Sequence, residues 1–545
     1  MKESDDLAPA AGTTGRAGRV LSGGGFIPVG IAAALLTAPL LWVSGFPVLP
    51  WESWSRVVVL WLALGLMGLL VRRPPDVLDT SGRLTAGVLI AAATGVAVVL
   101  LWRMSPALTG DIRLDDLVAG GRARGPFGQP NLTASFLATG VLLTTHLLLT
   151  SCPTRRAERA TLAGFVVAVM AAALTLTFSR TGWLGLWTGL LALSALAGRR
   201  AGWRLIVPWY GMAAGWGGVS LLLWLHGGPV REVISVDTPR TQIWHATRAL
   251  IQAHLWNGIG YGQFAHRFPD GLAMIHQVQT DKSMMLYPHN EVLLWWVEGG
   301  LMALVGVLFL VMWGVGLLLR SLRAAGHRGG YGAPGADAPG WLLCMAPVLV
   351  HSLLEYPAYQ SPLHLLLLIL LPALAMRACG AGIPDGVASI GSGRPLPCVP
   401  WPTVRRLSVW AVVVGTLWFC ATAMLVDAGR IRVNDTGGAD GGLLLTAVRL
   451  NPWYAPERAG YQLAMHTLYR YNQGRDAPDP VRDHRLLVTA AGYLKRYLAV
   501  YPDPNGWGMY LDTLYLSGGA VGFTAALKQA RHEVAWDPRF APGTY

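Results

Sequence analysis

The sequence predicts an all-α polytopic membrane protein with about eleven membrane-spanning helices. Of its 545 residues, 53% are hydrophobic and 13% are charged, whereas a soluble domain carries about a quarter charged residues. The apolar residues are also collected in runs of roughly the 17–25 residues that cross a bilayer. Along the chain, links rich in lysine and arginine alternate with links that have few, as expected when successive links lie on opposite sides of the membrane. The number of helices and their orientation therefore support each other.

The apolar runs define the predicted transmembrane part, residues 26–426. They lie at residues 26–45, 55–71, 84–102, 131–150, 160–178, 182–198, 205–225, 291–319, 341–356, 363–376 and 404–426. The first run has no evident cleavage site, so we predict a retained helix rather than a signal peptide. Residues 1–25 are polar and rich in glycine and alanine, and are predicted to form a cytoplasmic tail.

Orientation follows from the lysines and arginines. With a cytoplasmic N-terminus, each predicted cytoplasmic segment carries at least three: Lys2, Arg16 and Arg19; Arg72, Arg73 and Arg83; Arg155, Arg156 and Arg159; Arg199, Arg200 and Arg204; Arg320, Arg323 and Arg328; Arg377, Arg394, Arg405 and Arg406. On the other face, the short links 46–54, 179–181 and 357–362 together contain one basic residue, Arg180. Cytoplasmic loops therefore explain much of the net charge of +13, and no nucleic-acid partner is predicted.

Three large external regions follow from this topology: residues 103–130, a loop at 226–290 and a C-terminal domain at 427–545. The C-terminal region has helix-like stretches that stop at Asn451-Pro452, Tyr501-Pro502 and Asp537-Pro538. This spacing resembles tetratricopeptide-type stacking of helical hairpins, an architecture that usually binds other molecules.

Arg180, in Ser179-Arg180-Thr181-Gly182, lies between two spans on the face that should lack basic residues. A snorkelling side chain that anchors a helix end would explain it structurally. Because the inside-positive bias does not account for an arginine there, a functional role is the stronger interpretation.

The predicted external loop at 226–290 contains a second basic cluster. Arg240, Trp244 and Arg248 share one face of an amphipathic helix. The turn Gly258-Ile259-Gly260-Tyr261-Gly262-Gln263 follows, and its glycines could let backbone N–H groups approach a ligand. No strand precedes it, so a nucleotide-binding fold is not indicated.

Ionisable residues also stand at the predicted entrance and exit of later spans. His289 precedes a helix that Asn290 could cap, and it is the side chain best suited to proton transfer near neutral pH, although a lone loop histidine is more often structural. Glu298 lies inside a span, where an acid is costly unless paired. His351 and Glu355, one helical turn apart before Tyr356, could contact a substrate or support the site.

These motifs in this order resemble the O-antigen ligase/polymerase superfamily. The resemblance rests on Ser179-Arg180-Thr181-Gly182, Arg240 before Trp244, the glycine turn, His289-Asn290 and Glu298. Three more features are similar to PglL-type protein O-oligosaccharyltransferases: Gly128-Gln129-Pro130-Asn131, the ending His351 to Pro357, and the helical C-terminal region. The resemblance implies glycan transfer from an undecaprenyl-diphosphate carrier at the periplasmic face of the bacterial inner membrane.

The resemblance also implies roles for individual residues. Arg180 and Arg240 would bind the diphosphate as catalytic residues, and His289 would accept the proton of the attacking hydroxyl. The expected substrate-binding residues are Gln129, Asn131, Arg248, Gln263, Glu298, His351, Glu355 and Tyr356. No metal and no cofactor are expected. The partners would be the lipid-linked glycan donor, membrane lipids and an acceptor, with a Ser/Thr hydroxyl of a pilin-like protein preferred.

The sequence is also compatible with other acceptors, with a metal site and with functions other than glycan transfer. The acceptor could be the lipid A core, as in an O-antigen ligase, or the end of a growing glycan, as in a polymerase. Asp111, Asp115 and Asp116 could bind a divalent metal, although a solvated loop explains them more simply. A glycolipid transporter is less favoured because the unusual charges collect at one interface rather than at mid-membrane. A docking platform with an inert membrane part is the weakest alternative.

Overall fold

A computed structural model describes part of the chain. The described residues are 78–111, 122–127, 129–150, 156–226, 238–279, 284–333, 336–379, 418, 422, 425–426, 428–451, 459–475, 479–541 and 543. Within these ranges every regular element is a helix. The spans predicted at 26–45 and 55–71, and most of the one at 404–426, lie outside the described residues and stay predictions.

The described helices before residue 380 form the bundle and the described part of residues 226–290, which we call the external loop after its predicted position. In chain order they are α1 Leu78–Thr109, α2 Pro130–Thr150, α3 Arg156–Leu176, α4 Arg180–Ala197, α5 Ile206–Leu225, α6 Thr238–Ala253, α7 Phe264–Met274, α8 Glu291–His327, α9 Ala338–Leu343, α10 Ala346–Leu354, α11 Pro357–Gln360 and α12 Pro362–Ala378.

Five helices in the described ranges are long and apolar enough to cross a membrane. They are Arg83–Thr109, Pro130–Thr150, Ala157–Leu176, Ala201–Leu225 and Glu291–His327, and Ala338–Leu354 and Leu363–Ala378 are shorter apolar segments. This confirms a polytopic helical protein. The predicted total of about eleven spans stays a prediction.

Helix α2 lies at the centre of the bundle. Within the described residues, 94% of its apolar window is buried, and it packs against α1, α3, α4 and α10. The buried hydroxyls of Thr139, Thr144 and Thr145 are satisfied inside the helix, as when Thr139 Oγ1 donates to the carbonyl of Ser135 at 2.9 Å. Because these polar groups are paired, they can be buried without a large penalty. The N-terminal turn of α2 is thereby placed at the middle of one end of the bundle.

The glycine turn of the external loop is bound to a kink in α8. The N–H groups of Ile259 and Gly260 donate to the carbonyls of Val297 and Glu298 at 2.8 and 2.9 Å. The kink lies at Gly300, whose φ of 66° and ψ of −161° are essentially accessible to glycine alone. These two N–H groups therefore attach the loop to the bundle, which differs from the predicted use of the turn in approaching a ligand.

Gly300→Ala should destabilise the protein by at least about 2 kcal/mol, because the φ is strained for alanine and a Cβ would meet the carbonyl of Trp256. Gly314→Ala is the matched control, since Gly314 lies in α8 with open space around it, and should be neutral or stabilise by up to about 1 kcal/mol. Thermal unfolding of the purified proteins measures the difference. Equal midpoints for the two variants would contradict the close approach at Gly300.

The C-terminal region is a series of helices, of which the last four pack each against the next. The helices of the series are α13 Gly442–Leu450, α14 Gly460–Gln473, α15 Pro480–Leu498, α16 Pro504–Leu516 and α17 Ala520–Glu533. Asp479 and Asp503 cap α15 and α16, each with a proline at the first helical position, which is the preferred start of a helix. The helical character is confirmed here, whereas the tetratricopeptide likeness stays a prediction.

The last helix contacts the external loop. His266 Nδ1 of α7 lies 2.9 Å from Glu533 Oε1 of α17, and His532 Nε2 of α17 lies 2.9 Å from Asp270 Oδ1 of α7. The other oxygen of Glu533 accepts a hydrogen bond from Trp507 Nε1 at 3.1 Å. Since α7 also packs against α6, the C-terminal helices are attached to the element that carries Arg240.

Candidate functional site

Several helix ends meet at one end of the bundle, which we call the site end. The start of α2, the end of α3, the start of α8 and the end of α10 are joined there by side chains. Arg122 Nε donates to the carbonyl of Thr177 at 3.0 Å, and Asn290 Nδ2 donates to the carbonyl of Leu353 at 2.8 Å. At the opposite end, Arg204 Nη1 donates to the carbonyl of Leu149 at 3.2 Å.

Glu355 is the centre of the site end. It directly follows α10, is 5% exposed, and receives three side-chain contacts. Gln129 Nε2 donates to Oε2 at 2.5 Å, Asn131 Nδ2 donates to Oε1, and His351 Nε2 lies 3.0 Å from Oε2. A buried carboxylate is stable only with such partners. Four of the residues predicted from the sequence are thus brought together.

Arg240 faces the same carboxylate from the external loop. Its Nη2 lies 4.0 Å from Glu355 Oε1, and its side chain is 32% exposed. Trp244, one turn further along α6, donates from Nε1 to the carbonyl of Pro288 at 3.0 Å. This bond fixes α6 beside the segment that carries His289. Arg248, one turn beyond Trp244, is exposed, and its substrate role stays a prediction.

His289 is half-buried and lies beside Tyr356. The two ring centroids are 5.7 Å apart, and Tyr287 packs on the other side of Tyr356 at 4.4 Å. His289 has a positive φ of 53°, which is uncommon outside glycine and concentrates at functional sites. Asn290 accepts a bond from the N–H of Leu293 at 3.0 Å, so the predicted cap is confirmed.

Arg180 is the first residue of α4 and is exposed. Ser179 Oγ caps the helix by accepting from the N–H of Gly182 at 3.1 Å. A helix N-terminus carries partial positive charge, so a guanidinium there adds to a field that favours anions. The start of α4 belongs to the site end because α3, which precedes it, ends there.

Glu298 and Gln263 lie at the glycine turn rather than around Glu355. Glu298 is buried, and its Oε1 accepts a bond from the N–H of Phe264 at 3.3 Å. Gln263 directly precedes α7. Glu298 therefore helps to attach the loop to α8, and the substrate roles of both residues stay predictions.

The sequence interpretation missed Arg122. Its Nη2 donates to Asn131 Oδ1 at 2.8 Å, so the amide of Asn131 accepts from a guanidinium and donates to the Glu355 carboxylate. The sequence contained a signal for Arg122, because it is another arginine in a predicted external segment, where the inside-positive bias does not account for basic residues.

Ser135 and His364 were also missed. Ser135 Oγ lies 2.9 Å from His351 Nδ1 and 2.9 Å from His364 Nε2. The only signals were a serine one turn after Asn131 and a histidine within an apolar run, and neither indicates a contact between them. The polar group around Glu355 therefore extends into the bundle along α2.

The proposed acidic metal site cannot be assembled from the described residues. Asp111 is exposed and accepts a bond from Thr109 Oγ1 at 2.6 Å, whereas Asp115 and Asp116 lie outside the described ranges. Within those ranges, no group of three or more His, Cys, Asp or Glu residues could hold a metal ion.

Two family models match the chain across this site. A model described as O-antigen ligase matches residues 165–308, and one described as virulence factor membrane-bound polymerase, C-terminal, matches residues 341–451. Together, the two matches show the likeness of the chain to the O-antigen ligase/polymerase superfamily. A search of curated proteins returns no match.

The matches confirm the predicted resemblance and support a bacterial membrane enzyme of the ligase/polymerase type. The first matched segment contains Arg180, Arg240 and His289, and the second contains His351 and Glu355. The PglL-type subgroup stays a prediction.

Proposed function

We propose that this protein transfers an oligosaccharide en bloc from an undecaprenyl-diphosphate carrier to a hydroxyl group, at the periplasmic face of the bacterial inner membrane. The observation that carries the proposal is the ion pair between Arg240 and the buried Glu355, at the end of the bundle where His289 lies beside Tyr356. The preferred acceptor is a Ser/Thr hydroxyl of a pilin-like protein.

The leaving group of this reaction explains the need for arginines. The acceptor oxygen attacks the anomeric carbon, the bond from that carbon to the diphosphate oxygen breaks, and undecaprenyl diphosphate leaves with the electron pair. Negative charge accumulates on the diphosphate during this step. Arg180 and Arg240 would stabilise that charge with paired, charge-assisted hydrogen bonds, for which a planar guanidinium is well suited.

The acceptor must lose a proton as it attacks. His289 is the candidate base, since imidazole accepts protons near neutral pH and its ring is fixed between the start of α8 and Tyr356. The proton of the hydroxyl would pass to the imidazole, which later releases it to water. The resemblance to the superfamily implies that no metal is required for this step.

Glu355 would orient Arg240 without contacting the glycan. Because Gln129, Asn131 and His351 fix the carboxylate, it offers Arg240 a rigid anionic partner on one side. The guanidinium carries five N–H donors in a fixed fork, so a partner on one edge leaves the planar group aligned for phosphate oxygens on another. This favours direct roles for the two arginines and a supporting role for His351, Gln129 and Asn131.

The C-terminal helices support a protein as the acceptor. The last four pack in series and contact α7 through the pairs His266–Glu533 and Asp270–His532, which supports a protein-binding surface attached to the site loop. Polymerisation of a glycan is the second candidate, because residues 341–451 match the model described as a membrane-bound polymerase. Ligation to the lipid A core uses the same base and arginines.

The experiment combines the purified protein with a defined undecaprenyl-diphosphate-linked glycan and three acceptors in parallel: a pilin-like protein, lipid A core and free glycan. Mass spectrometry of each product identifies the linkage. Glycan on a Ser/Thr side chain supports the proposal, and glycan on lipid A core alone or on glycan ends alone would replace the preferred acceptor. Movement of the glycolipid across vesicles without any transfer would overturn the enzyme assignment in favour of a transporter.

A further inference from the structure

Arg122 joins two helix ends at the site end. Its Nε donates to the carbonyl of Thr177 at 3.0 Å, and its Nη2 donates to Asn131 Oδ1 at 2.8 Å. Thr177 directly follows α3 and lies three residues before Arg180. Asn131 lies in the first turn of α2. One guanidinium therefore links the turn that leads to Arg180 with the start of the central helix.

The turn before Arg180 is bound tightly on this side. The N–H of Ala123 donates to the carbonyl of Leu176 at 3.0 Å, so the segment of Arg122 binds two successive carbonyls at the end of α3. The residue after them, Phe178, has a positive φ of 48°, which is uncommon outside glycine and persists only with support from its surroundings. The Arg122 contact therefore helps to fix a strained turn directly before α4.

Arg122 also sets the orientation of the Asn131 amide. A guanidinium donates and never accepts, so the amide oxygen Oδ1 must face Arg122. The amide nitrogen Nδ2 then faces Glu355 and donates to Oε1. The opposite orientation would place N–H groups against N–H groups and oxygen against oxygen. Arg122 thereby keeps Asn131 as a donor to the carboxylate.

Asn131 and Arg240 approach the same carboxylate oxygen. Asn131 Nδ2 donates to Glu355 Oε1, and Arg240 Nη2 lies 4.0 Å from that atom. Glu355 is 5% exposed, so water cannot readily replace a missing donor there. A change in the amide of Asn131 would therefore shift the oxygen that Arg240 faces.

We propose that Arg122 is a positioning residue that holds Arg180 and Arg240 in one fixed geometry. It acts on Arg180 through the turn between α3 and α4. It acts on Arg240 through Asn131 and Glu355. We call this connection the Arg122 bridge. Its effect on transfer rests on the proposed function, in which both arginines bind the diphosphate, whereas the bridge itself does not depend on any activity.

Arg122→Ala should lower kcat/KM for the lipid-linked donor by roughly 10–10²-fold, the size expected when catalytic groups are displaced by up to about 1 Å. Part of the loss should be a rise in the donor KM, which a merely unfolded fraction of the protein does not cause. Arg122→Lys keeps the charge but lacks the planar fork that makes both contacts, so it should recover little. An unchanged KM in Arg122→Ala would contradict the positioning role.

Arg124→Ala is the matched control in the same segment. The Arg124 side chain is exposed, and its backbone carbonyl, which accepts from Thr133 Oγ1, is kept in the variant. The control removes the same charge from the same region and should leave kcat/KM unchanged. If Arg124→Ala lowers kcat/KM as much as Arg122→Ala does, or if Arg122→Lys restores it fully, the effect is one of charge alone and the proposal fails.

Double-mutant cycles test the bridge in both directions. In a Glu355→Gln protein, the neutral side chain can pair with either orientation of Asn131, so Arg122→Ala should cost at least about threefold less in kcat/KM than in wild type. It should also cost less in an Arg180→Ala protein, because the turn that it fixes no longer carries a guanidinium. Equal costs in wild type and in either background would overturn the bridge.

Thermal unfolding of the full-length protein separates the bridge from the proposed function. Arg122→Ala should lower the unfolding midpoint, and the drop should be smaller in the Glu355→Gln protein, where the orientation of Asn131 matters less. If wild-type protein transfers no glycan, the proposed function fails and this comparison still decides the bridge, because equal drops would overturn it. Equal drops together with glycan transfer would leave the proposed function standing without the bridge.

Discussion

His289→Ala should lower kcat by about 10²–10⁴-fold, the usual range for loss of a general base. Its imidazole is the candidate acceptor of the hydroxyl proton, and alanine provides no substitute. The donor KM should change little, because in the proposed function the arginines, and not this ring, bind the diphosphate. Steady-state transfer rates at saturating acceptor, with donor concentration varied, measure both quantities.

Two variants separate base catalysis from damage to the fold. His289→Gln keeps a polar side chain of similar size but accepts no proton at neutral pH, so it should be about as inactive as His289→Ala. His327→Ala changes the exposed histidine at the other end of α8 and should leave the rate unaltered. Wild-type turnover by a normally inserted His289→Ala protein would remove the base assignment.

Arg240→Ala should reduce kcat/KM for the donor by about 10²–10³-fold, which is the cost of losing one preorganised group that stabilises charge in the transition state. The variant also deprives the buried Glu355 carboxylate of its ion pair, which adds a repulsive charge near the diphosphate. Arg240→Lys should recover part of the loss, since an ammonium keeps the charge but not the planar fork.

Binding and turnover should be measured together for the arginines. Arg180→Ala is expected to behave like Arg240→Ala, whereas Arg323→Ala, an exposed arginine near the opposite end of α8, should have no effect. If Arg240→Ala retains wild-type affinity for the lipid-linked donor and wild-type turnover, the phosphate role of this residue is wrong.

The sequence predicted best where a physical rule links position to charge. The inside-positive bias made Arg180 stand out, and the i, i+4 spacing related His351 to Glu355, which the structure joins at 3.0 Å. The capping role of Asn290 followed from its place before an apolar run. These are local relations that a single chain can reveal.

Relations across the bundle could not be predicted in this way. Ser135 and His364 are 229 residues apart, and each lies in a run whose hydropathy indicates only a span. The glycine turn was ambiguous for another reason: its N–H groups could meet a ligand or a carbonyl, and the kink at Gly300 that provides the carbonyls is not visible in the sequence. Arg122 had a signal, but its partner Asn131 depends on how the chain folds back.

The distance along the chain between Glu355 and its amide donors has a consequence for the order of events during synthesis. Gln129 and Asn131 precede Glu355 by 226 and 224 residues, so a ribosome inserts α2 into the membrane long before it translates the carboxylate. Until α10 and the residue after it have been made, Arg240 cannot pair with Glu355. A nascent chain arrested before α10 therefore lacks the oriented arginine of the finished protein, and the centre becomes competent only when the later helices have been inserted and packed.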